Sequence, residues 1–176
     1  PLPRPHVHQG GRRADAQRPE QLCIDGVKEV FGATGHGAHA KYMKCPARTL
    51  VALPEELSFK AGAAISCGTG TAWGALQRLE LTGDQTIAVF GQGPVGLSAT
   101  LLASQMGARV IALDTGEERL QRAKEFGAEV LINPTKTEDV VQAIRDATHG
   151  RGAHTSLDCS SAPIARSQAV QCVRTW

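Results

Sequence analysis

Three glycines spaced as Gly91-x-Gly93-x-x-Gly96, with the carboxylate Asp114 about twenty residues further on, have the types and spacing that hold a dinucleotide. Gly91 permits a tight turn, Gly93 lets the backbone approach a pyrophosphate, and Gly96 lets a following helix pack closely. Pro94 falls where a first helical turn needs no N–H, and the free N–H groups and positive dipole end of that helix face the phosphates. Asp114 is placed to accept hydrogen bonds from the adenosine ribose hydroxyls. A 2′-phosphate beside it, at ~5 Å and an effective dielectric of ~20, meets a repulsion of roughly 3 kcal/mol per unit charge, which favours NAD over NADP. Read alone, the three glycines are also compatible with an ordinary turn between a strand and a helix, so the context decides.

That context is a short apolar run, Ile87 to Phe90, then the glycine turn, then an apolar helix, then a second apolar run, Val110 to Leu113, ending at Asp114. Beyond it the sequence predicts a helix over 117–126 stopped by Gly127, a strand over 130–132, a helix over 138–148, a strand over 155–159 and a helix over 164–173. Alternating strand and helix implies an α/β fold, a partial Rossmann doubly wound parallel sheet. In the order 3-2-1-4-5-6 four strands are present, so the fourth is expected to show a bare, apolar edge prone to pairing or aggregation.

The 176 residues suffice for one domain with a core, or one domain and a remnant of another. A formal charge of +2 gives no electrostatic case for nucleic acid, and no apolar run approaches the ~20 residues of a membrane span. The first residues, proline, arginine and histidine without an apolar core, are not expected to be a secretory signal. Five scattered cysteines without a C-x-x-C pair suggest reduced thiols and a cytoplasmic setting. The chain starts at Pro1 and stops at Trp176 just after a helical stretch, so both ends read as cut. Residues 1–20, rich in Pro, Arg, Gly and Gln, are expected to be disordered or a misread segment, and His6 and His8 there are expected to bind nothing. Residues 21–54 read as the end of a small β domain, with β-like runs at Val30-Phe31, Ala38 to Met43 and Thr49 to Leu53 and with His36 and His39 as exposed turn residues. Residues 55–176 read as the truncated nucleotide-binding domain; Pro54 to Ser58 starts a helical region, with Pro54 as the breaker and Ser58 a helix cap, and two short helices are expected to meet at Cys67 and Gly68. Gly68-Thr69-Gly70 has no strand before it and is not read as a phosphate loop.

From about Gln21 onward the chain resembles the zinc-containing alcohol dehydrogenases of the medium-chain dehydrogenase/reductase family. The resemblance is carried by Ile65 to Gly74, Val89 to Leu97, Leu113-Asp114, Glu125 to Ala128 and Leu157 to Ser160. It implies a GroES-like catalytic domain, of which 21–54 is a remnant, ahead of a Rossmann coenzyme domain, and hydride transfer from a zinc-bound alcohol or polyol to NAD. Carried over by position, Cys67 matches a ligand of the catalytic zinc and Thr71 a position beside the nicotinamide. Gly91, Gly93, Pro94, Val95 and Gly96 match the pyrophosphate loop, Asp114 the ribose carboxylate, Arg119 a basic residue near the adenosine, and Cys159 and Ser160 the loop passing the coenzyme. Intact relatives are expected to be homo-oligomers.

The departures are as informative. A catalytic zinc needs three protein ligands, and the family's other cysteine and His-Glu pair have no counterpart in this sequence. The family's four-cysteine structural lobe fits only at Cys23, because its other positions fall on Asp15, Arg12 and Gln9. The chain as given is therefore expected to be a catalytically incomplete fragment in which Cys67 is a buried core cysteine. Two other readings stay open: a zinc-free relative resembling quinone or enoyl reductases, and a non-catalytic dinucleotide-binding remnant.

Overall fold

The computed structural model describes residues 30–175. The expectations for 1–20, for His6 and His8 and for Cys23 lie outside them. The chain divides into two units, Pro1–Ala52 and Leu53–Trp176.

Within the described part of the first unit none of the expected β-like runs becomes a strand. Val30 carbonyl oxygen closes a turn by accepting from the N–H groups of Ala33, Thr34 and Gly35, one isolated bridge joins Phe31 to Gly35, and a 3-10 turn covers Ala47–Thr49. A lone β-prone run has no ladder to complete, and here no second run pairs with it, so Tyr42 and Val51 stay exposed. A remnant of a GroES-like β domain is thus not visible as β structure among the described residues.

The second unit is built on a four-stranded parallel sheet in the order β3-β2-β1-β4, with β1 Thr86–Phe90, β2 Arg109–Leu113, β3 Val130–Ile132 and β4 Thr155–Asp158. Parallel strands need helical crossovers, and each is present: α3 (Pro94–Gln105), α4 (Glu117–Glu125) and α5 (Val140–Asp146), with α6 (Pro163–Gln171) after β4. Every residue of β1 is buried because successive side chains go to opposite faces that are both covered. Ile87 and Val89 join one apolar cluster with Ala99, Ala103 and Ala123. Ala88 and Phe90 join the other with Val140, Ile144 and Ala169. Among the described residues β4 pairs with β1 alone, Val173 bridging only Ala153 ahead of it, and its four residues are partly exposed; the edge is bare as expected but not apolar, since Leu157 is its one apolar residue.

Ahead of β1 the sequence predicts two helices meeting at Cys67 and Gly68, whereas the chain runs as one helical stretch. α1 (Phe59–Ala64) passes through a π-helical segment, Ile65–Thr69, into α2 (Gly70–Arg78). Ser58 caps α1 by accepting from Ala61 N–H at 3.2 Å, as expected, while Pro54 to Leu57 is a turn. The extra π turn lets Gly68 sit buried on Pro94, with an added Cβ at 3.6 Å from it, so small residues here bring the two helices together rather than break the first.

Candidate nucleotide site

The site is assembled at the carboxyl end of β1, the crevice where open parallel sheets bind ligands. Gly91 turns off the strand at φ +85°, its N–H donating to Leu113 carbonyl oxygen at 2.7 Å. A Cβ there would lie 2.9 Å from the Ser160 backbone and 3.0 Å from Cys159, so only glycine lets the loop after β4 cross the turn. A Cβ at Gly96 would fall on the Gly91 carbonyl oxygen. Gly93, by contrast, faces open space, with nothing within 4 Å of where its Cβ would stand. Pro94 occupies the first turn of α3 as expected, and no side chain caps that helix terminus. The turn therefore presents a backbone concavity with uncapped N–H groups and a vacant approach over Gly93, which suits an anionic diphosphate.

Asp114 follows β2 and is 6 % exposed. Its Oδ2 accepts from Gln92 N–H at 2.6 Å and its Oδ1 from Gly116 N–H at 2.8 Å. Arg119, on the first turn of α4, brings its Nη1 to 3.7 Å of Asp114 Oδ1 while its side chain stays largely exposed. Cys159 and Ser160 lie over the turn, and Asp158 holds that loop by accepting from Ser160 N–H at 2.9 Å and from its hydroxyl at 2.7 Å. Burial, and then the Asp158 charge, push the Cys159 thiol up to about 11, so it is a neutral lining group at neutral pH and not a nucleophile.

The fold thus brings the residues 91–96, Asp114, Arg119, Cys159 and Ser160 into one place. Thr71 is exposed at the start of α2, and Cys67 is exposed on the π segment, not buried in a core as the sequence suggested. The reason is geometric: the π turn points Gly68, not Cys67, at Pro94. A bridge between Thr69 Oγ1 and Ser98 Oγ at 3.1 Å ties this segment to α3. A zinc site fails on its donors: among the described residues no three His, Cys, Asp or Glu side chains are grouped to hold a metal, and one thiol is two ligands short.

Gln92 and Thr100 escaped the sequence reading. Gln92 fills a variable position of the glycine motif yet is fully buried, and Thr100 is fully buried on α3. A polar residue at the buried helical spacing of Gly96, Ala99 and Ala103 was the available signal.

The chain is similar to known proteins over most of its length. Residues 94–176 match the family model described as zinc-binding dehydrogenase. The chain is 39 % identical over 155 residues to an uncharacterised zinc-type alcohol dehydrogenase-like protein, YphC, of Escherichia coli K12, covering 88 % of this chain and 44 % of that protein. It is 33 % identical over 167 residues to the (R,R)-butanediol dehydrogenase of Bacillus subtilis, covering 94 % and 45 %. A crystal structure of an NAD-dependent alcohol dehydrogenase superposes with a TM-score of 0.80 at 28 % identity, over 94 % of this chain and 47 % of that one. The chain spans less than half the length of each of these.

Proposed function

Because the chain belongs to the zinc-type alcohol dehydrogenases of the medium-chain dehydrogenase/reductase family, we propose that it is the coenzyme-binding half of an NAD-dependent alcohol or polyol dehydrogenase. The observation that carries this reading is the open backbone cradle at Gly93 with the buried Asp114 carboxylate beside it. Residues 91–96 would hold the pyrophosphate, Asp114 the adenosine ribose and Arg119 the adenosine side, with Cys159 and Ser160 closing over the turn and Thr71 toward the nicotinamide. Bound NAD supplies a ring that accepts a hydride. This chain's own part is to bind and orient that molecule against the sheet's carboxyl edge.

Among the described residues no three His, Cys, Asp or Glu side chains are grouped to hold a zinc ion, so no step of alcohol oxidation is derived from them. In this reading Cys67 joins a ligand set completed by residues other than these, residues 55–176 are the coenzyme domain, and 21–54 the end of a catalytic domain. Small alcohols or polyols are the substrate class, the cytoplasm the setting and a homo-oligomer the assembly of the intact protein. No helix among the described residues is long and apolar enough to cross a membrane.

Thermal unfolding of the chain with and without NAD tests the proposal. A ligand that binds only the folded state stabilises it by about 2.7 kcal/mol at a hundredfold excess over its dissociation constant, so the midpoint should climb with NAD concentration. A midpoint that ignores NAD at millimolar concentration speaks against it.

A further inference from the structure

We propose that Gln92 and Thr100 are a buried positioning pair that fixes the glycine turn and, through the Gln92 N–H, the Asp114 carboxylate, and thereby sets the preference for NAD over a 2′-phosphorylated dinucleotide. The proposal rests on reading this turn as the coenzyme loop. The position of Gln92 in the motif demands no particular side chain, yet its amide is inaccessible to solvent and satisfied at both ends. Its Nε2 donates to Val89 carbonyl oxygen at 3.0 Å, and its Oε1 accepts from Thr100 Oγ1 at 2.9 Å. The turn is therefore pinned by its own side chain to β1 on one side and to the second turn of α3 on the other.

The backbone N–H of the same residue donates to Asp114 Oδ2 at 2.6 Å. Gly116 N–H holds the other oxygen, so the carboxylate has one orientation, with lone pairs left for ribose hydroxyls. Selectivity against a 2′-phosphate depends on where that charge points, and the Gln92 N–H is one of its two fixed donors. Losing the Thr100 hydroxyl leaves Gln92 Oε1 buried without a donor. The amide must then seek another partner, and the turn moves with it.

The test uses the full chain as wild type, Thr100→Ser, Thr100→Val and the double variant Gln92→Met/Thr100→Val, which removes the network without stranding a polar atom. Two quantities are read: hydrogen exchange of the backbone amide at position 92 without ligand, and the calorimetric affinities for NAD and NADP. Thr100→Ser keeps the hydroxyl and should behave as wild type. In Thr100→Val and in the double variant the amide should exchange roughly tenfold faster, and the NAD-to-NADP affinity ratio should fall about tenfold. A pair that only filled the core would alter the unfolding midpoint and leave the ratio alone, and an unchanged ratio overturns the proposal. If wild type binds neither nucleotide, the coenzyme reading falls and the selectivity with it. Exchange alone then judges the positioning of the carboxylate: unchanged exchange in Thr100→Val overturns that as well.

Discussion

Gly93 and Gly96 carry the same motif letter for different physical reasons, and alanine at each separates them. At Gly96 a Cβ meets the Gly91 carbonyl oxygen within the protein, so Gly96→Ala should cost roughly 1–3 kcal/mol of stability as the turn is forced apart. At Gly93 the backbone has φ −75°, which alanine adopts freely, and the space is open. Gly93→Ala should therefore unfold within about 0.5 kcal/mol of wild type while losing at least about tenfold in NAD affinity, because the methyl occupies the pyrophosphate's approach. Chemical denaturation with parallel NAD titration checks both. Cysteine chemistry divides similarly. At about pH 8 a disulfide reagent should label exposed Cys67 quickly. It should reach Cys159 and Cys172 slowly, since burial pushes both thiols up to about 11. Mass-spectrometric labelling rates give the order. The glycines and Asp114 could be read from sequence because backbone approach and a strand-tip charge each demand one residue type. Gln92 could not, because its role comes from a partner eight residues on that only the folded turn brings within reach.

At the scale of elements, the start of β1 is tied to the segment before β4 through one histidine. Thr86 N–H donates to His154 Nδ1 at 3.0 Å, and His154 N–H donates back to Thr86 carbonyl oxygen at 2.9 Å. Nδ1 must be unprotonated to accept. Burial and then Arg174 hold the imidazole below its ordinary 6.5, with Asp84 opposing and Arg151 adding to the depression. The unfolded chain thus takes the proton first as pH falls. The clamp contributes fully above the ordinary value and is lost as pH falls from there through the folded one. His154→Asn keeps an acceptor near Nδ1 and does not titrate. Urea unfolding from about pH 7.5 to about pH 5 should show wild type losing stability relative to His154→Asn, and parallel curves would contradict the clamp. The strand–helix alternation was legible because short apolar runs such as Ile87 to Phe90, Val110 to Leu113 and Val130 to Ile132, separated by stretches of helical spacing that glycine ends, leave few other arrangements. The π segment was not, since Ile65 to Gly74 has the small residues of a helix junction and only the seat of Gly68 on Pro94 shows that the helix continues.

For the whole molecule, the strand order 3-2-1-4 was expected as the first four strands of the doubly wound order 3-2-1-4-5-6, and the sheet has it. The β-like runs ahead of residue 54 misled because strand formation depends on a partner as much as on local propensity, and the described residues there offer only one bridge. The donor set makes a further prediction: extensive dialysis against a chelator should leave the chain's unfolding midpoint unchanged, whereas a fall of several degrees would reveal a structural metal held outside the described residues. In the proposed function the second unit is a dinucleotide-binding half-sheet whose Asp114 selects NAD. Its most direct test is calorimetric titration of the chain with NAD and, separately, NADP at fixed ionic strength. NAD should bind saturably at one to one and NADP at least about tenfold more weakly, the consequence of ~3 kcal/mol of unscreened repulsion at Asp114 reduced by solvent. Equal affinity for the two, or no heat with either, would contradict it.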